Sequence, residues 1–306
     1  MARKRVVVVF NPTAGSARNR RFSGVLAELC RLGVTAEVTP TSCRGDAERL
    51  VGSLRAADWD AVAVAGGDGT INESVNALHA DSPPLAIVPL GTANVAAWEI
   101  GLGLRPDRVA AAIASGPATD VHVGRVNGRR FLLMAGLGFD AQVVRDLPPA
   151  LKRALGKGAY FWQTLATLGA YRYPVFRVEV DGVPFDAVSA VIANGRFYAG
   201  RYSCAPAARL ADPLLHVCLF ERPGTLATLG YAARLLSGRL RPGPGYRVVT
   251  GRRISVSAPP GAPVQADGDL AATLPVTVES TGETVRLIHP ATPPETGRFR
   301  LWTGPA

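Results

Sequence analysis

Ala61-Val62-Ala63-Val64-Ala65-Gly66-Gly67-Asp68-Gly69-Thr70-Ile71-Asn72-Glu73-Ser74-Val75-Asn76-Ala77-Leu78 decides how the rest of the chain reads. Ala61 to Ala65 is apolar without alternation, as a strand buried on both faces of a parallel sheet must be. A helix follows from about Thr70 to Leu78. Ligands of parallel α/β sheets bind at the carboxyl ends of strands. A helix N-terminus there offers unpaired N–H groups and a positive dipole end to phosphate. Gly66, Gly67 and Gly69 let the backbone come close to such a ligand and take positive φ. Asp68 is the candidate to hold an ion bound to the phosphates, and Thr70 to donate its hydroxyl. The plainer reading is a glycine-rich turn with no ligand.

Working outward, the same rhythm recurs. Val6 to Phe10 is a second short apolar run, and Phe22, Val25, Leu26, Leu29 and Leu32 follow at helical spacing. Leu50, Val51 and Leu54 mark another helix, Leu85 to Val88 a strand, and Val109 to Ile113 a short helix. Strands separated by helices imply a parallel sheet covered on both faces. Asn11 to Ser16 follows the first strand and Pro89 to Asn94 the strand at Leu85. Each loop alone is ordinary turn chemistry. Three polar, glycine-containing loops at three strand ends form one nucleotide floor.

Beyond Asp120 the pattern becomes short strands with hairpin turns. Asn127-Gly128, Asp181-Gly182 and Asp267-Gly268 are two-residue turn signals. Later short strands are Leu215–Phe220, 246–250, 254–258, Val276–Glu279 and 285–288. Such a series predicts a sandwich or barrel, interrupted by helices near 160–171 and 226–236. The division is therefore 1–120, 121–290, and a tail over 291–306 that packs back on the body.

Composition excludes several classes. The chain has 306 residues, 47% of them hydrophobic, which suits two globular cores rather than disorder. Its net charge of +10 favours anionic partners or simply an arginine-rich proteome. Aromatic and basic residues are not interleaved, so nucleic acid has no support. The four cysteines, Cys30, Cys43, Cys204 and Cys218, have no zinc spacing and read as free thiols of a reducing compartment. No segment approaches the roughly 18 apolar residues that span a bilayer, so a cytoplasmic protein with peripheral membrane contact is expected. P-loop, dinucleotide and nucleophile-elbow motifs are absent.

Asn11-Pro12-x-x-Gly15, Gly66-Gly67-Asp68-Gly69-Thr70-x-Asn72-Glu73 and Pro89-Leu90-Gly91-Thr92-Ala93-Asn94, in that order, resemble the catalytic domain of bacterial diacylglycerol and related lipid kinases. The likeness continues through Gly136 to Ala141 and Asn194 to Asp212, and ends at Gln265 to Asp269. It implies an NAD-kinase-like α/β domain with a parallel sheet, and a β-rich sandwich domain that closes over the nucleotide. It implies an ATP-dependent lipid kinase using Mg2+, with diacylglycerol as acceptor and phosphatidate as product. A sphingoid-base or ceramide kinase, or a non-catalytic nucleotide or lipid binder on the same fold, is the alternative.

By this resemblance Asn11, Thr41, Gly66 to Thr70, Asn72, Gly91 and Thr92 meet the nucleotide. Asp269 is the base, with Asp68 assisting. Asp212 holds a structural magnesium with main-chain carbonyls at Arg209 and Leu214. Pro213 and His216 depart from the family pattern at that metal, and Val95 stands where an Asp is usual. The lipid would be met at a membrane surface, for which Leu147 to Trp162, with Lys152, Arg153 and Lys157, is the candidate segment; a homodimer is compatible.

Overall fold

The computed structural model describes residues 2–14, 18–148 and 157–291. The chain divides into two compact units: Met1–Val121 with the segment from Thr284, and His122–Glu283 between them.

The first unit runs β1 Arg5–Phe10, α1 Arg18–Arg31, β2 Thr35–Pro40, α2 Asp46–Gly52, β3 Ala61–Gly66, α3 Asp68–Ala77, β4 Leu85–Pro89, α4 Val95–Glu99, α5 Pro106–Ser115 and β5 Ala118–His122. Strand β1 pairs in parallel with β2 and β3, and β3 with β4. Every residue of β3 and of β4 is buried, which is why their sequences lack alternation. Fully burying one such valine contributes on the order of 1.5–3 kcal/mol. Helix α1 turns Phe22, Val25 and Leu29 inward, the i, i+3, i+7 face. Phe22 stacks on Phe10 of β1, with ring centroids 4.2 Å apart.

The second unit contains β6 Gly124–Val126, β7 Arg129–Phe131, β8 Met134–Leu137, α6 Phe139–Asp146, α7 Lys157–Ala170, β9 Phe176–Val180, β10 Val183–Ala187, β11 Ser189–Ala193, β12 Leu215–Phe220, α8 Thr225–Leu236, β13 Tyr246–Gly251, β14 Arg253–Val256, β15 Pro263–Ala266, β16 Asp269–Thr273 and β17 Val276–Glu279. Two six-stranded sheets form, ordered β10-β9-β14-β17-β6-β7 and β13-β12-β11-β8-β15-β16. Phe176, Val178, Ile254 and Val256 of one sheet share a core with Leu137, Ile192, Leu215 and Val217 of the other, so the unit is a β-sandwich. All three expected hairpin turns form, with positive φ at both central residues: Asn127-Gly128, Asp181-Gly182 and Asp267-Gly268. That is the I′ geometry that matches strand twist.

The chain then leaves the sandwich. Strand β18, Thr284–Ile288, joins the first unit's sheet, giving the order β2-β1-β3-β4-β18-β5. Leu287 pairs with Leu85, and Val285, Leu287 and Ile288 are buried. This corrects the expected assignment of 121–290 to one β-rich domain. An apolar alternating strand declares that it needs a sheet, not which sheet. The tail over 292–306 lies outside the described residues.

Candidate functional site: a glycine-lined phosphate floor and a braced acidic hairpin

In the first unit the three loops are tied to one another. Gly67 caps α3 in extended conformation and Asp68 is its first residue. The Asn11 side chain donates to the Thr70 hydroxyl at 2.9 Å, and its carbonyl oxygen accepts from the Thr13 amide and hydroxyl at 2.9 and 2.8 Å. The Leu90 amide donates to the Gly66 carbonyl at 3.0 Å. The two glycine loops touch through bare backbone. A Cβ on Gly91 would stand 2.5 Å from the Gly67 Cα, and one on Gly66 would stand 2.7 Å from the Thr70 Cβ. These contacts, rather than a need for positive φ, are what Gly66 and Gly91 supply. Asp68 Oδ1 accepts from the Ala96 amide at 3.2 Å, so the acid joins α3 to the start of α4.

Asn94, which the sequence reading placed in the third loop but gave no contact, ties that loop together. It takes φ 50°, a left-handed conformation that Asn tolerates better than most residues. It donates to the Gly91 carbonyl at 2.8 Å, is 3% exposed, and its Oδ1 has no hydrogen-bond partner among the described residues. Val95, where the family usually carries Asp, is buried. Thr41 is buried beside β1, its amide donating to the Phe10 carbonyl at 2.8 Å. The loop after it is pinned by Asp46, whose Oδ2 accepts from the Ser42 amide, the Ser42 hydroxyl and the Cys43 amide. Those bonds, the Ser42 hydroxyl first, hold the Asp46 carboxyl far below the usual range. Asn72 lies one turn into α3, and Thr92 is exposed in the Pro89–Asn94 loop.

In the second unit Asp269 opens β16 opposite Ala266, directly after the Asp267-Gly268 turn. The turn is braced from two sides. The Asp267 carboxylate accepts the amides of Leu132, Leu133 and Met134 at 2.7, 2.9 and 3.0 Å. Gln265 Oε1 accepts the Gly268 amide at 2.9 Å while its Nε2 donates to Asp140 at 2.8 Å. Asp140, in α6, also accepts the Tyr198 hydroxyl. Burial pushes the Asp140 carboxyl up, against the downward pull of the Tyr198 and Gln265 hydrogen bonds. Burial likewise drives the Tyr198 phenol well up. A Cβ on Gly136 would fall 2.3 Å from Asp140 Oδ2, so that glycine makes room for the pair. The sequence carries this motif, Gly136 to Ala141, but no signal joins Asp140 to Tyr198 and Gln265 across the chain.

The expected metal residues form a turn. The Asp212 amide donates to the Arg209 carbonyl at 2.9 Å, and Asp212 Oδ1 accepts the Leu214 amide at 3.0 Å. His216 is 7% exposed, and burial pulls its imidazole pKa down although Asp212 opposes this. A magnesium ion demands a near-octahedral set of oxygens. Among the described residues no three His, Cys, Asp or Glu side chains gather. The turn offers one carboxylate, with its Oδ1 accepting the Leu214 amide, beside the main chain of Arg209 and Leu214. Of the membrane segment, Leu147 is buried; residues 149–156 and the side chains of 157–162 lie outside the described residues. Cys204 and Cys218 are buried, Cys30 and Cys43 exposed, and all are free thiols.

A parallel sheet with glycine loops at its strand ends is thus followed by a β-sandwich with a braced acidic hairpin. The family model for the diacylglycerol kinase catalytic domain matches residues 5–126, and that for the YegS C-terminal NAD kinase beta sandwich-like domain matches residues 134–289. Diacylglycerol kinase of Bacillus subtilis (strain 168) is 28% identical over 302 residues, which cover 95% of this chain and 97% of the relative. That of Staphylococcus saprophyticus subsp. saprophyticus is 30% identical over 283 residues, covering 89% and 91%. A solved structure of a diacylglycerol kinase from Bacillus anthracis str. Sterne superposes with TM-score 0.74 at 23% identity, covering 94% of this chain and 98% of that one. The chain belongs to the diacylglycerol kinase family and is a lipid kinase.

Proposed function

We propose that the chain transfers the γ-phosphoryl group of ATP, brought in with magnesium, to the free hydroxyl of a diacylglycerol, releasing ADP and phosphatidate. What carries this reading is the match, over nearly the full length of both chains, to relatives named for that activity. Phosphoryl transfer needs positioning and charge neutralisation more than covalent chemistry. Asn11, Thr41, Gly66 to Thr70, Asn72, Gly91 and Thr92 are the proposed nucleotide contacts. The acceptor oxygen attacks the γ-phosphorus, the bond to the bridging oxygen of ADP breaks, and Asp269 takes the hydroxyl proton, with Asp68 assisting. Asp212 with the Arg209 and Leu214 carbonyls is the proposed seat of a structural magnesium, and no step of the transfer uses that ion.

No helix among the described residues is long and apolar enough to cross a membrane, so a lipid acceptor is proposed to be met at a bilayer surface. The test is transfer from labelled ATP to a panel of lipids in mixed micelles: diacylglycerol, a sphingoid base and ceramide, with NAD as a soluble control. Label appearing in phosphatidate ahead of the other products is the expected result. Preferential labelling of the sphingoid base or ceramide would replace diacylglycerol as substrate. Labelling of nothing would leave the activity unsupported.

A further inference from the structure

Helix α8 carries its apolar side outward. None of its 12 residues is buried. Leu226 is 86% exposed, Leu236 60% and Leu229 45%. Together with exposed Ala233 they fall at i, i+3, i+7 and i+10, one stripe along the helix. The opposite side holds the helix in place. Tyr231 packs edge-on against Phe220 with centroids 5.0 Å apart, donates its hydroxyl to the Gly245 carbonyl, and accepts the Arg222 amide at 3.2 Å. At the start of the helix the Thr225 hydroxyl donates to the Leu168 carbonyl at 3.1 Å. A surface helix ordinarily presents charge to water and leucine to its neighbours; here Tyr231 anchors the inner side and three of the four leucines face out.

The charge around the stripe is of one sign. No acidic residue occurs between Glu221 and Asp267. Arg222, Arg234, Arg239 and Arg241 are exposed at the flank and both ends of the helix. No ion pair to any of the four is seen among the described residues. A second copy of the chain meeting this face about a two-fold axis would set arginines against arginines, which costs affinity. An anionic bilayer satisfies both features: leucines enter the headgroup–acyl boundary and guanidinium groups hold lipid phosphates.

We propose that α8 is a membrane-docking helix that seats Leu226, Leu229 and Leu236 in an anionic bilayer surface, with Arg222, Arg234, Arg239 and Arg241 on the headgroups. This deepens the lipid-kinase reading by giving it a surface, and it is tested without turnover. Purified protein is sedimented with phosphatidylcholine–phosphatidylglycerol vesicles and with phosphatidylcholine vesicles, at low and high salt. The wild type is expected to bind the anionic vesicles in a salt-sensitive way. Leu226→Glu, at a position too exposed to disturb packing, should weaken that binding about tenfold or more. Replacing Arg234, Arg239 and Arg241 with Gln should weaken it by on the order of fivefold per arginine at low salt. Wild-type binding by Leu226→Glu, or no binding by the wild type, would overturn the proposal. So would a concentration-dependent dimer that Leu226→Glu dissolves while vesicle binding stays unchanged. Phosphorylation of a short-chain, water-dispersed diacylglycerol should be equal in wild type and Leu226→Glu. Its loss in both would count against the substrate and leave the docking result standing.

Discussion

Asp68 Oδ1 lies 3.2 Å from the backbone nitrogen of Ala96 and accepts a hydrogen bond from it. The acid of the glycine-rich loop is therefore also a tie between the two helices that open beside that loop. Its two roles separate by substitution. Asp68→Asn keeps an oxygen for the Ala96 amide and should unfold within about 0.5 kcal/mol of wild type, whereas Asp68→Ala should lose about 1 kcal/mol. Both should lose transfer by about a hundredfold or more. Urea melts read the first effect and labelled-ATP assays the second. A folded Asp68→Asn protein with wild-type turnover removes Asp68 from the chemistry.

Gly91→Ala places a methyl carbon 2.5 Å from the Gly67 Cα. Backbone must move against backbone, at a cost of about 1–3 kcal/mol. A shift of that size in a positioning loop is expected to weaken nucleotide binding and lower turnover by up to about a hundredfold. Titration with a non-hydrolysable ATP analogue, alongside a melt, checks both. Unchanged affinity in a folded variant would place the nucleotide elsewhere.

The Asp267 and Asp269 carboxylates, two residues apart, should fail differently. Asp267→Ala strands three buried amides, those of Leu132, Leu133 and Met134, and should destabilise by at least about 3 kcal/mol. Asp269→Asn should leave the denaturation midpoint close to wild type and nucleotide affinity unchanged, while transfer falls by about 10²–10⁴. Retained transfer by Asp269→Asn would assign the base to another group.

Glu283 gives a pH signature. Burial raises its carboxyl pKa, but hydrogen bonds from Arg130 and Arg125 outweigh that and hold it below the ordinary value. A carboxyl lowered in the folded state contributes stability above its unfolded pKa and loses it as pH falls through the folded one. Glu283→Gln should therefore be less stable than wild type by about 1 kcal/mol at pH 7, the pair being partly exposed. The difference should shrink below about pH 4.5. Urea midpoints measured from neutral to acidic pH show whether the two curves converge.

What was legible in the sequence follows from where each signal resides. The buried strands β1, β3 and β4 announce themselves because both faces are apolar, and the three hairpin turns because only Asn-Gly or Asp-Gly suits their φ. Strand β2 went unnoticed: it is an edge, exposed along most of its length, so no apolar run marks it. Helix α4 has five residues, too few for a period. The glycine loops were recognisable as a floor, but not that Asn94 and Asp68 knit it together. Asp140, Tyr198 and Gln265 meet only because β8, β11 and β15 are neighbours, and no local pattern encodes that. At Asp212 the sequence shows the acid, but not the turn in which its Oδ1 accepts the Leu214 amide.

Strand β18 reaches the first sheet only after the whole sandwich has been traversed, and β5 sits at that sheet's edge beside β18. During synthesis, then, the second unit is finished while the first still lacks a strand, and β4 keeps an open edge until residues 284–288 leave the ribosome. The sandwich behaves as an insertion within the nucleotide unit, and the nucleotide unit is the last to become protease-resistant. A chain truncated after Glu283 should show a folded second unit and a cleavable first one, so that the glycine loops acquire their finished support only once the sandwich has been made.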